Sequence, residues 1–177
     1  RGRAWQSGRD LTSGALIVTA ELGPADFAWL DRQRRKHFPP ERNQLAAHLT
    51  MFHALPPSMG DAVARQLKLL TQAKPPLSML SGLINLGGGV AYRVEGDALQ
   101  AIREQIADHF AGSLTSQDGQ GWRAHVTIQN KVSSAQAKAL FDQLSRDFRP
   151  RLLTIHGLAL HRYLGGPWET LGRYPFR

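Results

Sequence analysis

Two short segments of this sequence, LAAHLTMF and WRAHVTIQ, place a histidine two residues before a threonine inside an apolar run. In a β-strand, side chains alternate between two faces, so His48 and Thr50 would share one face, as would His125 and Thr127. Histidine exchanges protons near neutral pH, and a threonine hydroxyl can donate to an anionic oxygen. Two such pairs suit phosphoryl transfer without a metal, with one imidazole as general base and the other as general acid.

The predicted elements around the two segments repeat. From residue 15 onward, the order strand, helix, His-x-Thr strand, helix, strand and glycine-rich turn occurs twice. His48 and His125 are separated by nearly half of the 177-residue chain. Two lobes related by a pseudo-twofold axis would place these histidines on either side of one groove. A lone histidine in a strand is as easily structural, and the repeat is what favours a catalytic pair.

Turn and capping residues divide the chain into these elements. Pro24 suits the first turn of a helix, Ser58 with Asp61 can cap a second helix, and Ser133 with Gln136 can cap a fourth. The pattern predicts an α+β fold of two antiparallel-sheet lobes with helices on the outside and a central cleft. The predicted strands are residues 15–20, 44–55, 77–86, 90–95, 122–132, 152–163 and 168–175.

Composition limits the class of protein. A formal charge of +8 favours an anionic partner such as nucleic acid, although solubility alone explains it equally well. The absence of cysteine excludes disulfides and thiolate metal sites. No apolar run approaches the roughly 20 residues of a membrane span. We expect a cytoplasmic, monomeric protein with no membrane partner, in which residues 1–14 form a flexible arm and residues 15–177 form one domain of two intertwined repeats.

On these motifs the chain resembles the 2H phosphoesterases, a superfamily named for two His-x-Thr/Ser motifs, and especially their bacterial 2′-5′ RNA ligase-like branch. The resemblance covers FPPERN, AHLTMFH, HVTIQNK and RYLGGPW. It implies a metal-free phosphodiesterase acting on 2′,3′-cyclic phosphate or 2′-5′-linked ends of RNA or nucleotides, reversible as ligation in some members. His48, Thr50, His125 and Thr127 carry over as catalytic residues. Ala124 stands where many members have proline.

Five further residues are candidates for substrate binding. Gln129 and Lys131 would continue the His125 face, or Lys131 would be an exposed strand end. Phe52 would lie on the His48 face, where it could stack on a base or pack in the cleft floor. Arg162 and Tyr163 lie near the last turn and would line the groove.

Other interpretations remain at this point. The arginine-rich residues 32–42 fit either a solvated helix end or a phosphate-contacting patch. A metal site is disfavoured, because each key strand offers one imidazole and one hydroxyl and no paired acidic motif is present; we expect no cofactor. A non-catalytic module that binds RNA or nucleotides on the same fold is the alternative function, supported by the charge alone.

Overall fold

The structure, a computed structural model, describes residues 14–177. Within them the chain forms eight strands and four α-helices, joined by turns and three short 3-10 segments. In chain order these are Leu16–Leu22 (β1), Pro24–His37 (α1), Leu49–Leu55 (β2), Gly60–Leu70 (α2), Ser78–Asn85 (β3), Val90–Glu95 (β4), Asp97–His109 (α3), His125–Gln129 (β5), Ser134–Asp147 (α4), Arg151–Leu153 (β6), Ile155–Tyr163 (β7) and Trp168–Pro175 (β8).

The strands form two four-stranded antiparallel sheets of the same design. The first sheet has the order β2-β1-β7-β8 and the second has the order β5-β4-β3-β6. The first sheet takes β7 and β8 from the second half of the sequence, and the second sheet takes β3 from the first half, because β7 pairs with β1 and β3 pairs with β4. The motif strands β2 and β5 are sheet edges that lie against each other. The predicted α+β fold of two lobes is confirmed.

Helices cover the outer faces of the sheets and bury the apolar side of each strand. Val63 and Leu67 of α2 are fully buried, as is Ala137 of α4. Helix α1 packs on the second sheet, where Trp29 lies 5.2 Å from Tyr92 between ring centroids. Burying each large apolar side chain stabilises the fold by roughly 1.5–3 kcal/mol. The apolar face of each strand therefore packs against the helices, and the alternate face remains for the cleft.

Both motif strands are shorter than the sequence predicts. The predicted strand 44–55 begins only at Leu49, because the preceding loop turns away and the Ala47 amide donates to Asp31 Oδ1 of α1 at 3.0 Å. The predicted strand 122–132 spans only His125–Gln129. A bulge interrupts its pairing with β4 before Gln129, and Lys131 has a left-handed backbone with a φ of 65°.

The predicted strand 152–163 was wrong as one element, because it is two strands in different sheets. Thr154 separates β6 from β7, and its amide donates to Asp26 Oδ2 at 2.7 Å. Gly23 packs so closely here that a Cβ would lie 2.8 Å from the Thr154 Cβ. The capping box of Ser133 and Gln136 is confirmed.

Two other predictions differ in outcome. Ser58 makes no capping hydrogen bond, since a 3-10 turn over Pro57–Met59 precedes α2. The arm predicted for residues 1–14 lies outside the described residues except for Gly14, whose amide donates to the Tyr163 carbonyl at 2.7 Å. In the described part of the chain, no helix has the length and apolarity needed to cross a membrane.

Candidate active site

The two motif histidines have the same local geometry. His48 Nδ1 lies 2.8 Å from the Ala46 carbonyl, and His125 Nδ1 lies 2.6 Å from the Arg123 carbonyl. Because a carbonyl only accepts hydrogen bonds, each Nδ1 carries a proton, and Nε2 is the nitrogen of each ring that remains able to gain or lose one. The carbonyl two residues upstream therefore imposes the same hydrogen-bond pattern on both imidazoles.

The two histidines are electrostatically coupled. Burial is the main cause that lowers the pKa of His48 to about 4, against the hydrogen bond to the Ala46 carbonyl, which raises it. The positive charges of Arg34, His161 and His125 lower this pKa as well. His48 is therefore neutral at pH 7 in the free protein. The influence of His125 on His48 agrees with the contact between β2 and β5, which brings the two motifs together.

Each motif threonine is held by a donor from the opposite half of the molecule. Trp122 Nε1 donates to the Thr50 carbonyl at 3.0 Å, and Arg34 Nη1 donates to the Thr127 carbonyl at 3.0 Å. Trp122 precedes the second motif, whereas Arg34 lies on α1 between β1 and the first motif. These reciprocal cross-ties fix the spacing of the two strands, on which any two-histidine reaction depends.

Arg34 is a buried cation with three partners. Its side chain is only 5% exposed, its guanidinium lies 4.3 Å from the centre of the Phe38 ring, and its Nε donates to Asn43 Oδ1 at 2.8 Å. Burial lowers the pKa of Arg34, while Asp31 raises it. The two interpretations of this basic cluster, a solvated helix end and a phosphate-contacting patch, are both wrong for Arg34, because its side chain is buried. Arg34 instead joins the loop before His48 to the second motif.

Asp118 anchors the loop that leads to the second motif. It is 1% exposed, and its carboxylate accepts from the amides of His53 and Ala54 and bonds His53 Nδ1 at 3.1 Å. These bonds lower the pKa of Asp118 despite its burial, which acts in the opposite direction. Arg103 Nη2 donates to the Asp118 carbonyl, and its Nε donates to the Met51 carbonyl. A loop that the sequence shows only as polar is therefore clamped to β2.

His161 lies in the floor of the cleft beside His48. Its two ring nitrogens lie 2.9 Å from Thr19 Oγ1 and 3.0 Å from Thr170 Oγ1. Trp168 packs on both imidazoles, with ring centroids 5.3 Å from His161 and 4.8 Å from His48. Burial lowers the pKa of His161 to about 4, and Arg173 adds to this effect.

The structure moves most of the predicted substrate-binding residues away from the motif face. Phe52 has no exposed surface, and Arg103 covers its ring at 3.9 Å, so stacking on a base is excluded in this structure. Gln129 is buried beyond the bulge, and Lys131 follows the end of β5. Neither continues the His125 face, because the bulge and the strand end break the two-residue alternation.

Arg162 and Tyr163 lie on different faces of the first sheet. Arg162 pairs across the ladder with Leu16, whose side chain is fully buried in the core, and its Nη1 lies 3.9 Å from Glu169 Oε2. Directly paired residues share a face, so the prediction that Arg162 lines the groove is wrong. Tyr163 alternates onto the face of His161 at the far end of β7.

Within residues 14–177, no three histidine, aspartate or glutamate side chains cluster in a way that could hold a metal ion. The groups gathered at the site are instead two imidazoles with free Nε2 atoms and two threonines on strands that meet edge to edge. Such a set can exchange two protons and donate two hydrogen bonds to one anionic centre.

Comparison with known proteins agrees with this arrangement. Residues 22–167 match the family model of the 2′-5′ RNA ligase superfamily. No curated protein matches the sequence significantly. E. coli LigT in its complex with 3′-AMP has a TM-score of 0.62 at 17% identity, over 93% of this chain and 98% of LigT. A protein of Thermus thermophilus has a TM-score of 0.59 at 16% identity, over 92% of this chain and 98% of its own. At these identities the structural matches show the shared fold.

Proposed function

This chain belongs to the 2′-5′ RNA ligase superfamily, and we propose that it is a metal-independent phosphodiesterase acting on 2′,3′-cyclic phosphate or 2′-5′-linked ends of RNA or nucleotides. Its fold is that of LigT, whose solved complexes include 3′-AMP and phosphate. The net charge of +8 suits a polyanionic substrate. The proposal includes a monomer in the cytoplasm that requires no cofactor and that reverses to ligation where 5′-hydroxyl ends are supplied.

The proposed mechanism places the phosphate between β2 and β5. The hydroxyls of Thr50 and Thr127 donate to its non-bridging oxygens and stabilise the charge that develops there. One Nε2 takes a proton from water, which attacks phosphorus. The other imidazole enters the step as the imidazolium, protonated at both nitrogens, and gives its Nε2 proton to the ribose oxygen as the bond from that oxygen to phosphorus breaks. The ring opens to a phosphomonoester, and both imidazoles then return to their starting protonation states through solvent.

The observation that carries this proposal is that His48 and His125 make the same hydrogen bond through Nδ1. Two histidines that serve only as packing residues need no common hydrogen-bond pattern. Here both donate Nδ1–H to the carbonyl two residues upstream, which leaves the same nitrogen of each ring available. General acid–base catalysis requires that availability at two positions, because one group must accept a proton while the other donates one.

Turnover of 2′,3′-cyclic nucleotides in the presence of EDTA tests the proposal. We expect hydrolysis by the parent protein, and a loss of about 10² or more in His48→Ala and in His125→Ala. His156→Ala is the matched control, because His156 is an exposed histidine on β7. The pH–rate profile should be bell-shaped, so a flat profile between pH 5 and 8 would contradict paired acid–base catalysis.

The same variants separate catalysis from simple binding. A non-catalytic RNA-binding module would show no turnover in the parent, and its RNA affinity would survive both alanine substitutions. A metal-dependent enzyme would lose activity with EDTA and regain it with added divalent cations. Either result would replace the proposed mechanism.

A further inference from the structure

A cavity of about 450 Å³ opens beside His48, over the face of the first sheet that carries Thr19. The loop before β2 contributes Leu45 to its wall, and the start of α1 contributes Pro24 and Phe27. Roughly 300–1,000 Å³ is usual for pockets that hold small organic ligands. The cavity therefore has room for a nucleoside, and the proton-transfer histidine lies at its border.

One row of side chains connects this cavity with the first motif. Thr50 pairs with Thr19, Thr19 pairs with Ala159, and Ala159 pairs with Arg173 across the four adjacent strands of the first sheet. Directly paired residues in antiparallel strands share a face, so the motif hydroxyl and the guanidinium of Arg173 project on the same side of the sheet. A ligand whose phosphate lies at Thr50 would therefore have its remaining atoms in the cavity.

The walls of the cavity suit a flat aromatic ring. Trp168 and His161 present aromatic surface, and Phe27 and Leu45 present apolar surface. Phe27 is 38% exposed although it is a large apolar side chain on a helix that buries Leu30 in the core. Exposed aromatic surface at the border of a phosphodiester site suits base stacking, which depends little on base identity.

A charged pair in the cavity can read the polar edge of a base. Arg173 Nη1 donates to Glu21 Oε2, and both residues line the cavity. Among the hydrogen bonds within residues 14–177, none is donated to Glu21 Oε1. A carboxylate accepts two neighbouring N–H groups, and a guanidinium donates to a carbonyl. Guanine alone among the common bases offers two adjacent N–H donors beside a carbonyl oxygen on one edge.

The equivalent region of the second half has a different character. The cavity there measures about 320 Å³, and it is lined by Arg93, Arg123, Glu95 and Asp97. These charged groups suit a solvated phosphate or ribose better than a stacked base. Among the described residues, the one aromatic residue of its lining, Trp122, is tied by Nε1 to the Thr50 carbonyl, whereas Trp168, His161 and Phe27 line the cavity beside His48. The two sides of the scissile phosphate therefore meet unlike surfaces.

Resting on the proposed function, we infer that the cavity beside His48 binds the nucleobase of the nucleotide that carries the reacting phosphate. Trp168 and Phe27 contact the faces of the base. Glu21 accepts from its N–H donors and Arg173 donates to its carbonyl oxygen, so guanine binds best. Glu21 is then a specificity-determining residue that takes no part in proton transfer.

The test compares kcat and KM for the 2′,3′-cyclic phosphates of guanosine, adenosine, cytidine and uridine, and of 1-O-methylribose, which lacks a base. We expect the baseless compound to have a KM at least about 10-fold higher than the nucleotides. Guanosine should exceed adenosine by about 10-fold in kcat/KM. Glu21→Gln should abolish that preference, whereas Glu104→Gln on the exposed face of α3 should retain it.

Two further measurements keep this inference separate from the proposed function. Phe27→Ala should raise KM for the nucleotides and leave it unchanged for the baseless compound, while the exposed Leu69→Ala changes neither. Calorimetric binding of guanosine 2′-monophosphate and ribose 2-monophosphate supplies a readout without turnover. Base-dependent binding without turnover would overturn the phosphodiesterase and support the cavity. Equal KM or equal affinity with and without a base would overturn the cavity assignment alone.

Discussion

The two halves of the molecule share the hydrogen bonds that hold their motif residues and differ in the surfaces beside them. Each motif histidine bonds the carbonyl two residues upstream, and each motif threonine carbonyl accepts a donor from the other half. Across the first sheet, however, Thr50 is followed by Thr19, Ala159 and Arg173, whereas Thr127 is followed across the second sheet by Ala91 and Ile84. The motifs are therefore held in the same way in both halves, while the rows of side chains beside them differ.

The largest loss of rate is expected when the motif histidines are replaced. His48→Gln and His125→Gln should each lower the single-turnover rate by about 10² or more. The double variant should be no more than a few-fold slower than the worse single variant, because base and acid act in one concerted unit. Additive losses in single-turnover measurements would show that the two imidazoles act independently.

Removing either cross-tie should lower kcat by a smaller factor, which should be similar in both halves. Trp122→Phe keeps an aromatic ring but removes the donor to the Thr50 carbonyl, and Arg34→Met removes the donor to the Thr127 carbonyl. We expect kcat to fall by about 10-fold in each, with less change in KM, since misplaced catalytic groups reduce rate more than binding.

Arg34→Met has a second expected effect that Trp122→Phe lacks. The charge of Arg34 lowers the pKa of His48, so its removal should raise that pKa. Arg34→Lys should keep the low pKa while still disturbing the geometry. Histidine titration by NMR distinguishes these cases, and an unchanged pKa in Arg34→Met would sink the electrostatic part of the argument.

Stability should depend on pH through His48 and His161, which lie beside each other in the cleft. His48 and His161 both have a pKa of about 4 in the folded protein, against 6.5 for a free imidazole. The unfolded state therefore binds more protons between these values, and the free energy of unfolding should fall as pH drops from 6.5 towards 4. His161→Gln should weaken this dependence in urea titrations at pH 7 and pH 4.5, whereas His156→Gln should not.

The smallest effect expected is a change in the pKa of His48 when the site binds an anion. Inorganic phosphate bound between the strands would favour the charged imidazole and should raise the pKa of His48 from about 4. Histidine titration with and without phosphate measures the shift. A pKa that does not respond to phosphate would place the anion away from His48.

Sequence periodicity was sufficient for the elements and for the motif histidines, because His-x-Thr, capping residues and glycine turns are local signals. Gly87 and Gly165 show this, since both have a positive φ in the predicted hairpin turns. Alternation failed at Gln129, where a bulge adds a residue. Nearness to the last turn was not enough for Arg162, which lies on the same face as the buried Leu16. No local pattern distinguishes a bulged strand from a regular one of the same composition.

Long-range polar contacts were the other part that sequence analysis missed. Arg34 lies among several basic residues at a helix end, and nothing local marks it as the one that is buried. Asp118 lies in a segment of polar and glycine residues, yet it is 1% exposed because it caps amides of β2 that are 64 and 65 residues away in sequence. Such pairings follow from the packing of the two sheets and become visible only after that packing is known.

The exchange of strands between the two sheets has a consequence for how the protein is made. The first sheet holds β1 and β2 from the beginning of the chain and β7 and β8 from its end. Residues 16–55 therefore leave the ribosome long before their partners at 155–175 are synthesised. The side of β1 that pairs with β7 therefore stays open until residues 155–163 have been made, whereas β2 pairs only with β1 and can do so early. Removal of β8 would leave the edge of β7 open, so the first sheet is complete only when both late strands are in place.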